Sequence, residues 1–461
     1  MTVVLPLVIL GTVAVWLWMS HRDPLIHLVP VALAVPPLLA YGGQALGWPG
    51  GWLSTRVALV GCIALHGAQR VVRSNYSFRS IPFAWFILPY PAIVIASVIW
   101  GSLVYNDDVS AIANEFVTWL VPLIIFLLIL GERRGERDVR HTRQALGVVG
   151  ISISAYCVLQ GLVLAGYDRF VPMPIFDITE FGRRDLLFGS FRLYGTFPNL
   201  GPNFLGFFLI APTVVALNAC MDHRPRLGWL FAAITGGAVI LGTYSRGAIL
   251  GLLTSLLLLP VWRRSKAGVA IAATAVVVGG VAIAGTPVGR YVRSLYTSGQ
   301  LDVSGSARIY LWRTIAATSV EYPIGRGFNG WLRASRKSEE VGLADPPETL
   351  GSPRPAENQW MRELADRGPL GVMALALLLG GTLFVTYRRS SLTRRPGTGR
   401  EFIVSAGSIF GGWAIAFLTG DHLMYESTAG MFWYVLAVCL ATIRDADPPI
   451  PAKGPIAGSS I

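Results

Sequence analysis

The run "GWLFAAITGGAVILGTYSRGAILGLLTSLLLLPVW", residues 228–262, holds a single charged side chain, Arg246, among apolar and small residues. Four other arginines invite the same question. Arg192 lies in "FGSFRLYGTFPNLGPNFLG" (188–206), Arg308 and Arg313 in "SGSARIYLWRTIAATSV" (304–320), and Arg326 in "EYPIGRGFNGW" (321–331). A guanidinium offers a rigid fork of donors that matches phosphate oxygens and keeps its charge at any working pH. Several of them gathered beside an apolar groove suit a lipid-linked phosphate or pyrophosphate. Taken alone, Arg246 also fits a snorkelling arginine that ends a helical hairpin.

The elements that must carry these arginines are membrane helices. The chain has 461 residues, 53% hydrophobic and 14% charged, with mean hydropathy +0.55; a soluble domain carries about 25% charged residues. Apolar runs recur at 2–19, 25–42, 53–69, 82–104, 114–131, 144–165, 202–221, 227–243, 247–262, 267–285, 368–387, 402–420 and 428–443. Each is of a length to cross roughly 30 Å of hydrocarbon. The expected architecture is therefore an all-α polytopic membrane protein with about 12–13 transmembrane helices. The first run lacks a basic n-region and a small-residue cleavage site, so it reads as a helix and not as a removable signal.

Charge alternates between successive connections. "RVVRSNYSFR" (70–79), "ERRGERDVRHTR" (132–143), "DHRPR" (222–226), "RRSK" (263–266) and "RRSSLTRRPGTGR" (388–400) are basic, and the connections between them are not. By the positive-inside rule the basic set marks the cytoplasm. The net charge of +12 is then topological, with some attraction to anionic membrane lipids, and not a nucleic-acid patch. The four cysteines, Cys62, Cys157, Cys220 and Cys439, fall in or beside apolar runs without CxxC spacing and read as small hydrophobes. The "NYS" sequon (75–77) falls on the cytoplasmic side and carries no weight.

Two non-basic connections, 166–201 and 286–366, are too long to be plain connectors. The second holds the stretch 304–320, in which Ser304 or Ser306 caps an amphipathic helix expected to lie on the membrane surface. Gly242, Ser245 and Gly247 allow a tight turn that divides 228–262 into two short spans and brings Arg246 to the outer face. The resulting organisation is N-terminal helices (1–139), core helices with the first outer loop (140–285), the long outer loop (286–366), C-terminal helices (367–443) and a cytoplasmic tail (444–461).

"RLYGTFPNLGPNFLG", "TYSRGAILGLL", "SARIYLWR…PIGRGFNGW" and "ENQWMRELADRGPLG" follow in this order. Together, over about residues 140–440, they make the chain resemble the O-antigen ligase/polymerase superfamily: lipopolysaccharide O-antigen ligases, Wzy-type polysaccharide polymerases and protein-O-oligosaccharyltransferases. The resemblance implies a GT-C-like, metal-independent glycosyltransferase without a cofactor in the bacterial cytoplasmic membrane. Its donor would be a glycan on a polyprenyl-pyrophosphate carrier, and its acceptor a hydroxyl of a glycan, lipid or protein outside the membrane. It also implies that Arg192, Arg246 and Arg308 bind the pyrophosphate, with Arg313 and Arg326 close by. This chain has Glu357-Asn358 where the family carries a His-Asn pair, which leaves polymerase and other acceptor classes open beside ligase.

For that reaction a carboxylate must take the acceptor's proton. Glu357 is the first candidate, with Asn358 or Gln359 orienting a sugar hydroxyl; Glu357 also fits a charge that complements a helix N-terminus. His422, in "GDHLMYES", is an alternative base with Asp421 or Glu426 behind it, and equally an interfacial polar turn. Trp312, Trp331 and Trp360 suit sugar stacking or interfacial anchoring. Asp107-Asp108 is an adjacent acidic pair without a partner cluster and makes a poor metal site. A polysaccharide or lipid-linked oligosaccharide flippase is the competing reading. Transporters tend to show internal repeats, and none is evident here.

Overall fold

The computed structural model describes residues 24–36, 55–73, 83–105, 109–132, 134–162, 192–197, 201–221, 227–266, 268–270, 273–274, 277, 303–327, 329–335, 357–392 and 397–446. The runs expected at 2–19 and over most of 267–285, the pair Asp107-Asp108 and most of the first long loop lie outside them. The described elements are helical: α1 (Pro24–Ala34), α2 (Thr55–Arg73), the single turn α3 (Ala84–Ile87), α4 (Pro89–Tyr105), α5 (Val109–Gly131), α6 (Glu136–Leu162) and α7 (Pro202–Cys220). After them come α8 (Leu227–Gly242), α9 (Arg246–Arg263), α10 (Val303–Ser319), α11 (Gly330–Ser335), α12 (Gln359–Leu392), α13 (Thr398–Ala416) and α14 (Glu426–Ala446), with a 3-10 turn at His422–Met424 before the last.

Among the described residues six helices are long and apolar enough to cross a membrane: Ala84–Tyr105, Glu136–Leu162, Pro202–Cys220, Arg246–Arg263, Gln359–Ser391 and Glu426–Ala446. Three shorter apolar helices accompany them. The chain is a polytopic α-helical membrane protein. A helix suits this role because it satisfies its own backbone hydrogen bonds where no water is present.

The helices sort by how much of their circumference is covered. α7, α13 and α14 are buried nearly all round. α9 lies along α13, α8 along α7, α5 along α14, and α12 between α4 and α13. Trp413 of α13 stacks on Phe207 of α7, with centroids 5.0 Å apart, and donates its indole N–H to the Phe207 carbonyl at 3.1 Å. At the periphery Leu103, Phe231, Ile234, Met373 and Phe384 present more than half of their surface outward. Contiguous large apolar side chains of this kind face hydrocarbon in a membrane protein and would aggregate in water.

The basic connections meet at one end. Arg263 donates to Asn218 Oδ1 at 2.6 Å, Asn218 donates to the Glu401 carbonyl at 2.7 Å, and Arg143 pairs with the Glu401 carboxylate at 2.5 Å. Glu132 gathers His66, Arg70 and Arg134. The segments 192–197, 243–246, 357–359 and 417–425 meet at the opposite end, called the site end below.

One expectation changes. The helix predicted near 304–320 is present as α10, but part of its apolar face is covered by protein, while Ala316 and Val320 stay exposed. Leu311 and Ile315 pack with Trp331, Ala334 and Ala365 of α11 and α12. Apolar periodicity marks a face that must be covered and does not say by what.

Candidate active site

The turn carrying Arg246 forms as its small residues dictate. Tyr244 takes a left-handed φ of 50°, and the Ser245 hydroxyl caps α9 by accepting from the Ala248 N–H at 3.4 Å. Arg246 is thus the first residue of α9 and is exposed. Arginine is an unfavourable choice beside the positive end of a helix dipole, and an anion bound there would be held by dipole and guanidinium together.

Arg192 reaches the same turn. Its Nε donates to the Thr243 carbonyl at 2.9 Å and its Nη2 to Asn203 Oδ1 at 3.2 Å. The chain around it is pinned by Leu193 N–H to the Gly242 carbonyl at 3.0 Å. Gln160 of α6 accepts from the Tyr194 and Gly195 N–H groups at 3.0 and 2.9 Å.

This turn sits against the C-terminal end of α13. Gly247 is required there, since a Cβ at that position would lie 1.5 Å from the Thr419 hydroxyl. The start of α12 lies against the same end of α13. Gln359 N–H donates to the Phe417 carbonyl at 2.8 Å, and Asn358 Nδ2 to the Leu418 carbonyl at 3.1 Å. Asn358 Oδ1 in turn caps α12 by accepting from the Met361 N–H at 3.2 Å. Glu357, directly before it, adopts φ 45° and pairs with Arg308 of α10. Both side chains of that pair keep about a quarter of their surface exposed, 26% for Glu357 and 25% for Arg308. Arg308 Nε is buried and has no acceptor among the described residues.

The segment 416–419 therefore has the Arg192–Arg246 turn on one side and the Arg308–Glu357 pair on the other. The remaining expected residues divide. Arg313 is exposed, further along α10. Arg326, only 1% exposed, donates to the Thr318 carbonyl at 3.0 Å and lies over the Tyr322 ring at 4.2 Å, so it fastens the end of α10 from within. Asn358 and Gln359 are buried beneath Glu357 with their amides engaged. Trp331 is part of the small core under α10. Trp312 and Trp360 are half-buried.

His422 is 1% exposed and stacks on Phe207 at 4.2 Å, with the Phe204 ring edge-on at 5.3 Å. Burial pulls its pKa down from 6.5 to about 3, with a hydrogen bond to the Ala416 backbone acting the other way. It is a neutral packing group, closed off from an acceptor substrate in this conformation. Its neighbour Asp421 is also buried; desolvation raises its pKa and the Arg362 charge opposes the rise.

Sequence reading placed a helix start after Glu357 but missed the charge network in the first turns of α12. Asn358, Gln359, Arg362, Glu363, Asp366 and Arg367 are all buried. Glu363 accepts from Gln359 Nε2 at 2.6 Å, Tyr90 Oη at 2.7 Å and Arg367 at 2.7 Å. Arg362 pairs with Asp366 and approaches Asp421 at 3.9 Å. The available signal was the spacing: both pairs, 362–366 and 363–367, are opposite charges four residues apart on a helix. Gly368 then breaks α12 with φ 67°, leaving room for the carbonyls of Tyr322 and Pro323, each 2.4 Å from where its Cβ would be.

A crevice of about 410 Å³ lined by Val94, Val98, Phe116, Trp119 and Trp433 opens between α4, α5 and α14. It is wholly apolar in lining residues and none of the site arginines borders it, so it is not where charged chemistry occurs. Among the described residues no three His, Cys, Asp or Glu side chains gather as metal ligands.

The fold defines a class, a multi-pass α-helical membrane protein. Residues 231–376 match the family model described as O-antigen ligase. The resemblance drawn from the motifs is borne out over this stretch, which includes Arg246, Arg308, Arg313, Arg326 and Glu357; Arg192 and His422 lie beyond it. No curated protein matches the chain.

Proposed function

We infer that the protein is a membrane glycosyltransferase. It moves or polymerises a glycan from a polyprenyl-pyrophosphate carrier onto an acceptor hydroxyl at the outer face of the bacterial cytoplasmic membrane. The carrying observation is the Arg308–Glu357 pair, with Arg308 Nε lacking an acceptor among the described residues, beside the turn that Arg192 and Arg246 share. The positive-inside rule applied to the basic connections supports the outward face of the site.

In the reaction the acceptor oxygen attacks the anomeric carbon of the donor sugar. The bond from that carbon to the diphosphate oxygen breaks, and its electron pair leaves with the diphosphate. Glu357 takes the acceptor's proton. Arg192, Arg246 and Arg308 meet the charge that builds on the diphosphate, acting as preorganised donors in a partly dry site. In the resting protein Arg308 holds Glu357; an incoming diphosphate competes for Arg308 and frees the carboxylate. Arg313, exposed beyond Arg308 on α10, extends the positive rim toward the glycan. Arg326, Asn358, Gln359 and His422 act from beneath, holding α10, α12 and the 417–425 turn in register.

One observation favours a flippase instead: α12 is broken at Gly368 beside buried charges, as transporter helices often are. Those charges, however, are committed to one another. A single assay separates the readings. Protein in liposomes, given a polyprenyl-pyrophosphate glycan and a glycan acceptor, is expected to release polyprenyl pyrophosphate and to extend or attach the glycan. Movement of intact donor across the bilayer without release would favour the flippase.

A further inference from the structure

The 417–425 turn is fastened to the start of α12 by three hydrogen bonds. Two are those from Gln359 N–H and Asn358 Nδ2 to the carbonyls of Phe417 and Leu418. The third runs from Leu423 N–H to Gln359 Oε1 at 2.9 Å. Gln359 is itself fixed by Glu363, a fully buried carboxylate that Arg367 and Tyr90 also hold. Glu357 immediately precedes this anchor, so its backbone and the turn are held in register to within a residue. Asp421, His422 and Leu423 of the turn are buried, and Tyr425 keeps partial exposure.

Tyr425 is extended, with φ −124° and ψ 133°, between the 3-10 turn and α14. Its ring meets Phe204 edge-on at 4.4 Å. On its other flank Glu426 is locked to Arg56 at 2.5 Å. The phenol lies within electrostatic range of Asp421, Arg362 and Glu357, and burial, with Asp421 adding to it, raises its pKa to about 12. The group is thus a neutral O–H donor on a rigid mount, two residues beyond Leu423, whose N–H is bonded to Gln359 in the anchor that follows Glu357. A carboxylate acceptor beside a neutral donor is the combination that reads sugar hydroxyls, each of which both donates and accepts.

We propose that Tyr425 binds a glycan acceptor, its phenol donating to one sugar oxygen while Glu357 takes the proton of the attacking hydroxyl. This rests on the glycosyltransferase reading and narrows the acceptor to a sugar. The test is Tyr425→Phe in the full-length reconstituted protein, which keeps the ring against Phe204 and removes only the hydroxyl. Initial rates are measured against glycan-acceptor concentration at saturating polyprenyl-pyrophosphate glycan, and binding of that donor is measured alone. The expected result is an acceptor KM raised about tenfold, the effect of one lost hydrogen bond, with donor affinity unchanged. An acceptor KM within twofold of wild type, or a loss that falls on donor affinity, overturns the proposal. Wild-type protein that releases no polyprenyl pyrophosphate removes the glycosyltransferase reading itself and Tyr425's role with it. Active wild type with an indifferent Tyr425→Phe removes Tyr425 alone.

Discussion

Arg367 and Arg246 stand at the same end of the helical bundle, yet they are opposites. Arg367 is 1% exposed, paired with Glu363 at 2.7 Å and seated over the Trp119 ring at 4.8 Å. Arg246 opens α9 on an exposed turn against the helix dipole. Arg362 and Arg326 side with Arg367, whereas Arg192, Arg308 and Arg313 side with Arg246. The lesson is that the cost of placing a guanidinium near hydrocarbon is met in two ways. Inside the bundle buried acceptors meet it, a carboxylate on the same helix for Arg362 and Arg367 and a backbone carbonyl with an aromatic ring for Arg326; at the rim it retains part of its exposure to water.

This division can be broken from either side. The largest effect is expected from Arg367→Met, which leaves the Glu363 carboxylate buried without its cation. Loss of one partner of a buried pair costs about 3–5 kcal/mol, read as a fall in thermal stability in detergent. Glu363→Gln combined with Arg367→Met should recover much of it, because no lone charge remains. Arg246→Ala should do the reverse, keeping stability within about 0.5 kcal/mol while lowering the transfer rate by about 10²–10³. If Arg246→Ala melted early, or Arg367→Met kept full stability, the division would fail.

His422 sharpens the comparison through pH. Its folded pKa, about 3, lies below the ordinary 6.5, so the unfolded chain takes up the proton first. The stability it contributes is complete above pH 6.5 and declines as pH falls toward 3, at up to about 1.4 kcal/mol per pH unit. Wild-type protein should therefore be about 2 kcal/mol less stable at pH 5 than at about pH 8 from this group, and His422→Phe should lack that increment. An equal acid response in both would show that His422 is not held neutral. The smallest effect belongs to Arg313→Ala: stability within about 0.5 kcal/mol, and a rate loss well below that of Arg246→Ala.

Much of this molecule was legible in its sequence. The hairpin at 242–247 forms from the small residues that announced it, and the basic connections meet at one end as their alternation required. The burial of the first turns of α12, and their continuity with the span that follows, were not legible. The span expected at 368–387 begins at Gln359, because "RELADR" looks too charged to be buried until its charges are paired across helical turns. Of the candidate site, the sequence shows the residue types proposed for the rim, Arg192, Arg246, Arg308 and Glu357. The site was not legible in depth: Arg326, Gln359 and His422 stand in motifs that look accessible, and only packing against Tyr322, Glu363 and Phe207 turns them inward.

The most direct test of the rim is the affinity of polyprenyl pyrophosphate, without glycan, for the protein in nanodiscs. Wild type is to be compared with Arg192→Ala, Arg246→Ala and Arg308→Ala. Each rim variant is expected to bind at least about tenfold more weakly, as loss of a charge-assisted hydrogen bond requires, at unchanged melting temperature. Wild-type affinity in all three would contradict the account.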